Sequence, residues 1–268
     1  MHTDSYRVTP GRKFSLSGFP TADDGGFDKD VARDRFAGLR QRLIEQQELL
    51  YADGRFGVLV VFQAMDAGGK GSTIRKVIGP LNPAGVRVTS FKAPSDEELR
   101  HDFLWRVHAR APRRGDIAVF NRSHYEDVLI ARVKGLVPAE VCQQRYEHIN
   151  AFERLLHDEG TRVVKFYLHI SKGYQKQRLQ LRLDDPNKHW KFEPADLQER
   201  ARWSDYQMAF EEAISRCSTD QAPWYVVPAE RRWFRNLLVA QVLVDTLDAL
   251  DLRTPKPAFD PKTIDIPD

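Results

Sequence analysis

The chain has only two cysteines, Cys142 and Cys217, in 268 residues. They stand far apart and follow no metal-ligand spacing, which excludes a disulfide framework and a cysteine-built zinc site. Long apolar runs are also missing, and nothing approaches the ~18 residues of a membrane span. The first residues, Met1-His2-Thr3-Asp4, carry no apolar stretch of the kind that heads a secretory signal. We therefore expect a cytoplasmic protein with no membrane partner. Net charge is scarce too, because 41 Lys and Arg against 38 Asp and Glu leave +3. Nucleic acid is not an expected partner, and any polyanion site must come from local clustering of basic side chains. His101, His108, His124, His148, His157 and His169 show no ligand spacing.

What is present is a core, with 41% hydrophobic residues, and one stretch that organises it. Val58-Leu59-Val60-Val61-Phe62 is an apolar run, rich in β-branched residues, that reads as a strand buried on both faces. A small-residue loop follows, Gln63-Ala64-Met65-Asp66-Ala67-Gly68-Gly69-Lys70, and then Ile74, Val77 and Ile78 at helical spacing. Strand, glycine loop, lysine and helix form a phosphate-binding loop. Its backbone N–H groups and helix N-terminus offer partial positive charge and Lys70 a full one. Ala67, Gly68, Gly69, Gly71 and Ser72 are the candidate cradle. Ala64 stands where such loops carry their first glycine, and Gly71 where they carry a metal-binding hydroxyl. Asp66 is an extra carboxylate, placed to bind Mg²⁺ or to orient an attacking oxygen. The plainer alternative is a glycine-rich turn with no ligand, but a turn needs no lysine directly after two glycines.

The rest of the chain alternates helix and strand. Residues 1 to about 28 are polar and read as a surface arm. A helix over about 28–52 carries Val31, Phe36, Leu39, Leu43, Gln46 and Leu50 on one face. Further strands are expected at Val86–Phe91, Ile117–Phe120, Val163–Ile170 and Trp224–Val227. Ser95-Asp96-Glu97-Glu98 is a capping box that opens a helix with Leu99, Phe103, Leu104 and Val107. A long helix runs from Pro138 to Gly160 with Val141, Ile149, Phe152, Leu155 and Leu156 as its buried stripe. Helices cover about 172–184, 195–216 and 230–250, and a proline-rich tail follows. This order means an α/β fold with a mainly parallel five-stranded sheet. We expect one domain over residues 29–252, with the arm (1–28) before it and an extended tail (253–268) after it.

Ligands in such sheets lie at the carboxyl ends of the strands. The third strand ends Asn121-Arg122-Ser123-His124-Tyr125-Glu126-Asp127. Asn121 occupies a place where many phosphate-loop proteins have a metal-holding Asp, and Glu126 could recover the missing charge. Arg122 is placed to grip a phosphate as a bidentate donor. Beyond the fourth strand, Lys172, Lys176, Arg178, Arg182, Lys188 and Lys191 crowd within twenty residues. Leu179 and Leu183 would face the protein body. This segment, about 172–194, reads as a lid that closes over transferring phosphates. The plainer alternative is a solvated basic face. Phe91 and Lys92 could line an acceptor site with Phe91 stacking on a base, or Phe91 could belong to the core. Asn187-Lys188 is not a guanine-reading motif, because no Asp stands at position 190.

Taken together, the loop Gln63–Lys70, Phe91-Lys92-Ala93-Pro94-Ser95, Asp102-Phe103-Leu104-Trp105-Arg106 and Asn121–Asp127 resemble the polyphosphate kinase 2 family. The similarity runs from about residue 30 to 250. It implies a three-layer phosphate-loop kinase fold like that of thymidylate kinases, with a helical lid. The implied reaction is Mg²⁺-dependent phosphoryl transfer between inorganic polyphosphate and nucleotides. By this resemblance Asp66 and Lys70 hold metal and phosphate, Arg122 is the phosphate-binding arginine and Arg178 the lid arginine. Asn121 with Glu126 is similar to the subgroup, class III, that phosphorylates both AMP and ADP, giving ADP and ATP. Homo-oligomers, dimers or tetramers, are implied as well. A polyphosphate donor has no base or ribose, so it needs a basic track, for which Arg75, Lys76, Arg122, Lys134, Arg178, Arg182 and Lys188 are candidates. Two other functions use the same residues: an ATP-dependent nucleoside monophosphate kinase, and a non-catalytic polyphosphate- or nucleotide-binding regulator.

Overall fold

β-Branched and aromatic side chains disfavour helix and pack well on a pleated surface. In the computed structural model, which describes residues 1–12 and 14–267, the run Gly57–Gln63 forms β1, buried at every position. Val86–Ser90 (β2), Ile117–Asn121 (β3), Thr161–His169 (β4) and Trp224–Pro228 (β5) complete one sheet in the order β2-β3-β1-β4-β5. Every pairing in it is parallel. The central strand therefore has neighbours on both sides, Val61 opposite Phe120 of β3 and Lys165 of β4. The connection leaving β1 runs toward β2, whereas the one leaving β3 runs toward β4. Adjacent strands whose connections diverge leave a crevice at their carboxyl ends. Gln63 and Asn121 end the two strands that border it.

Helices cover both faces. Lys29–Asp53 (α1) and Arg232–Asp248 (α9) pack along one another, with Lys70–Val77 (α2) beside α9. Ile130–Val133 (α4), Ala139–Asp158 (α5) and Trp203–Cys217 (α8) form the other group. Trp105–His108 (α3), Lys172–Leu183 (α6) and Ala195–Ala201 (α7) are short and lie at the carboxyl edge or in the lid region. Leu237, Leu238, Val242 and Leu243 of α9 are all buried, so this helix belongs to the core. Asp28 caps α1 through Asp30 N (2.8 Å), and Gly54 ends it at φ 66°. No helix of the described residues is long and apolar enough to cross a membrane.

Several expected details differ. The capping box forms, with Ser95 N donating to Glu98 Oε2 (2.9 Å) and Glu98 N to Ser95 Oγ (3.2 Å). Only a 3₁₀ turn, Glu98–Arg100, follows it, because His101 is extended and Asp102 starts a new turn by accepting from Leu104 N (2.9 Å). Leu99 is consequently exposed. On α5 the stripe Ile149, Phe152 and Leu156 is buried, whereas Leu155, a hundred degrees round the helix, is 49% exposed. On α1 the buried face is Ala32, Leu39, Leu43, Gln47 and Leu50, and Val31 points to solvent. The helix expected over 195–216 breaks at Arg202 into α7 and α8. Leu179 faces the body as expected, but Leu183 is exposed.

The N-terminal arm is not confined to the surface. Tyr6, Val8 and Leu16 are buried, and Val8 N donates to Trp224 O (2.9 Å) beside β5. Residues 253–267 of the tail are exposed throughout.

Candidate active site

The loop after β1 packs too tightly for larger residues. A Cβ on Gly68 would lie 2.7 Å from the Ala64 methyl, so the missing side chain at Gly68 makes room for Ala64 where a glycine is usual. Gly69 caps α2 at φ 101°, open only to glycine at low strain. Ala67 adopts φ 62° without that freedom. Lys70 reaches back over the loop to donate to Ala64 O (2.8 Å). Burial lowers its pKa, and Asp66 partly opposes this. Ser72 and Thr73 turn their hydroxyls onto Gly69 O, at 2.8 and 3.0 Å. Ser72 thus serves the helix start, and Gly71, exposed with open space beside it, offers no hydroxyl at all. Asp66 is the one carboxylate of the loop.

Across the crevice Arg122 also holds left-handed backbone, at φ 63°. That conformation turns the chain directly after β3 and aims the guanidinium back at the loop. Arg122 Nη2 donates to Asp66 Oδ1 (2.8 Å), and Nη1 lies 3.7 Å from Glu126 Oε2. Desolvation works against the charge on Arg122, but Glu126 and Asp66 outweigh it and hold the guanidinium above its ordinary range. Gln63, whose role the sequence does not signal, donates to Glu126 Oε1 (2.9 Å) and fixes that carboxylate. Behind the turn lies a fully buried network. Tyr125 donates to Glu153 Oε1 (2.9 Å), and Lys165 donates to Tyr125 Oη (2.9 Å) and Cys217 O (2.6 Å). Glu153 also pairs with Lys165 and with the His124 ring. His124 and Tyr125 directly follow the Arg122 turn, so this network anchors it from within.

Two chambers meet at the Asp66–Arg122 pair, which lines both. One, about 440 Å³, is bordered by the loop, Asn121, Arg75, Arg178, Arg182, Lys188 and Lys191. It is basic and holds no aromatic residue. Asn121 there donates to Ser90 Oγ (3.2 Å). Lys188 pairs with Asp185 and Arg182 with Asp196 (3.2 Å). Arg178 and Arg75 pair with no carboxylate among the described residues. The second chamber, about 170 Å³, gathers Asp66, Glu126, Glu193, Asp196 and Glu199 with Tyr206 and Phe210. Burial raises the pKa of Asp196, and Asp66 adds to the effect. The lid residue Gln175 ties α6 to the loop by donating to Asp66 O (3.0 Å).

Four expected site residues lie elsewhere. Phe91 belongs to the core: its ring meets Phe120 edge-on at 4.9 Å and Arg106 covers a face at 5.5 Å, which leaves no surface for a base. Lys134 pairs with Glu199 (2.6 Å) and does not line the basic chamber. Lys76 points to solvent from α2 and is likewise outside it. Lys92 is exposed, its carbonyl accepting from Arg106 (2.9 Å).

Asp66 and Glu126 flank one guanidinium, and no group of three or more His, Cys, Asp or Glu forms a metal cage among the described residues. That donor set fits a hard divalent ion that takes one or two carboxylates and completes its shell with phosphate oxygens and water.

A parallel sheet with a phosphate loop, a facing Arg–carboxylate pair and a basic lid defines a phosphate-loop kinase-like phosphotransferase. The model of the family described as polyphosphate kinase 2 matches residues 26–255, and the chain belongs to that family. It is 55% identical to an AMP/ADP-polyphosphate phosphotransferase of Meiothermus ruber, over 94% of this chain and 95% of the relative. An ADP-polyphosphate phosphotransferase of Rhodopseudomonas palustris is 43% identical, with 95% and 92% covered. The crystal structure of polyphosphate kinase 2 from Arthrobacter aurescens TC1 superposes with a TM-score of 0.92 at 46% identity, covering 96% of this chain and 92% of that one.

Proposed function

We propose that this protein transfers phosphoryl groups from inorganic polyphosphate to AMP and then to ADP, with Mg²⁺ as the divalent ion. The observation that carries this reading is the pair of chambers sharing Asp66 and Arg122. The basic side offers cations and no aromatic surface for a base, which suits a donor made of phosphate alone. The carboxylate-rich side suits a metal ion and the N–H edge of a base, with Arg122 holding the acceptor phosphate at the common wall. Asp66 and Glu126 would hold the ion, which neutralises charge on the moving group. Arg122 swings from those carboxylates to phosphate as substrate enters, and Arg178 closes with α6 to complete the neutralisation. In-line transfer then needs positioning and charge balance more than covalent chemistry. Gln175, tied to the loop backbone, would report lid closure to Asp66.

The test is a donor swap. Purified protein, Mg²⁺ and AMP are incubated with polyphosphate or, separately, with ATP, and the nucleotides are resolved by chromatography. ADP followed by ATP with polyphosphate alone is the expected result. ADP formed only when ATP is supplied would replace this reading with a nucleoside monophosphate kinase. A homo-oligomer and a cytoplasmic location belong to the same reading. Exposed Leu99, Trp105 and Leu155 support the oligomer, and light scattering giving the 30.9 kDa mass of one chain would reject it.

A further inference from the structure

Arg235 stands one turn into α9 and is 2% exposed. Its Nη2 donates to Ser72 Oγ (3.1 Å) and Asn236 Oδ1 (3.2 Å), and its Nε to Asn236 Oδ1 (3.3 Å). No carboxylate pairs with it among the described residues. Among the described residues Nη1 has no acceptor; it does not itself border the basic chamber but lies against Gly69, which does, and a Cβ on Gly69 would approach it to 2.1 Å. Glycine at 69 therefore does two things: it permits φ 101°, and it admits a guanidinium to the loop. Burial pulls this guanidinium down to about 10, and the nearby Arg232 and Arg178 pull it the same way. A buried, unpaired cation is destabilising by itself and is tolerated where an anion arrives.

We propose that Arg235 is a donor-phosphate ligand, its Nη1 edge supplying a fixed cation beside Gly69 that works with the lid's Arg178 and favours a phosphate chain as donor. The inference rests on the function proposed above. Chemistry explains the preference. A polyphosphate carries charge at every unit, so a second and third cation around the loop each find a partner. A nucleoside triphosphate instead becomes a neutral sugar and base beyond its third phosphate, and a buried arginine offers that part little.

The experiment compares Arg235→Met, Arg235→Lys and the wild type. KM is measured for long-chain polyphosphate and for AMP, together with melting temperature with and without polyphosphate. Arg235→Met is expected to raise the KM for polyphosphate about tenfold or more, the scale of one charge-assisted hydrogen bond. Its KM for AMP should stay within about twofold. Its ligand-free melting temperature should equal or exceed that of the wild type, while the rise produced by polyphosphate shrinks. A purely structural arginine would give the opposite stability result. Arg235→Lys should lie between the two. A folded Arg235→Met with unchanged KM for polyphosphate overturns the proposal while leaving the function intact. Wild type inactive with polyphosphate overturns the function itself. Arg235 is then judged by calorimetry with inorganic tripolyphosphate, and equal affinity of wild type and Arg235→Met would reject it.

Discussion

Two non-glycine residues hold left-handed backbone at the site, Ala67 (φ 62°) and Arg122 (φ 63°). Such conformations cost roughly 1–2 kcal/mol each for L-residues and persist where surrounding contacts over-determine them. Here they bring Asp66 and Arg122 within 2.8 Å. Asp66→Asn keeps the size and the loop but removes the charge that would hold the metal. We expect kcat to fall by at least ~100-fold, the scale for a positioned transition-state group, with the melting temperature nearly unchanged. Retention of more than a tenth of wild-type turnover would remove Asp66 from the mechanism. A different residue is expected to contribute to acid stability. His169, at the end of β4, is held down to about 4 by burial, with Glu230 and Glu211 acting in the opposite sense. The unfolded histidine takes its proton near pH ~6.5, so the folded form binds that proton less readily. Its contribution is present in full above pH ~6.5 and is lost as pH falls toward 4, up to about 3 kcal/mol. Denaturant midpoints from pH 7 to 4.5 should drop less steeply in His169→Gln. Parallel slopes in the two proteins would show that other groups govern the acid limb.

At the scale of elements, local chemistry makes much of the chain legible and long-range geometry hides the rest. All five strands are legible because β-branched and aromatic runs have few other uses. The phosphate loop is legible because its lysine and glycines are adjacent in sequence. Asn121, Arg122 and Glu126 are legible as a strand end. Arg235 carries no local signal, since its meaning depends on Gly69, far away along the chain. Phe91 misleads for a related reason: an aromatic at a strand end looks like a stacking platform until Phe120 and Arg106 are found on it. The capping box after β2 is correctly read, yet a good cap does not sustain a helix whose next turn is restarted by Asp102. Lys165 is the clearest case of hidden chemistry, a charge in the middle of a buried strand whose partner Glu153 lies on α5. Glu153→Gln leaves Lys165 without its counter-charge, and we expect a loss of about 3–5 kcal/mol in unfolding free energy. Because the network braces the Arg122 turn, kcat should fall as well. Replacing both partners by methionine should recover much of the stability but not the turnover. If the double variant is no more stable than Glu153→Gln alone, the pair is not the source of the loss.

At the scale of the molecule, the arm that composition assigns to the surface closes the far side of the sheet. Arg7 bridges Tyr225 in antiparallel fashion, and Ser218 Oγ donates to Val8 O (2.9 Å), which covers the free edge of β5. An uncovered edge strand is a template for unwanted pairing. The arm also reaches α9: Tyr6 meets Phe234 edge-on at 5.8 Å, Phe27 lies 6.4 Å from the same ring, and a Cβ on Gly25 would touch it at 2.9 Å. Phe234 is the residue before Arg235, so the arm supports the helix turn that faces the phosphate loop. Tyr6, Val8 and Leu16 each bury an apolar side chain worth roughly 1.5–3 kcal/mol before the entropy of ordering the arm is subtracted. A net loss of about 3 kcal/mol corresponds to a melting temperature ~6–12 °C lower for a domain of this size. Removal of residues 1–19 should therefore lower the melting temperature by that much and raise the KM for polyphosphate more than that for AMP, because the Arg235 side of the loop loosens while the Arg122 side does not. A truncated chain that melts with the full one would mean the arm adds nothing to the fold. One that melts earlier with both KM values raised equally would place its influence on the whole site and not on α9.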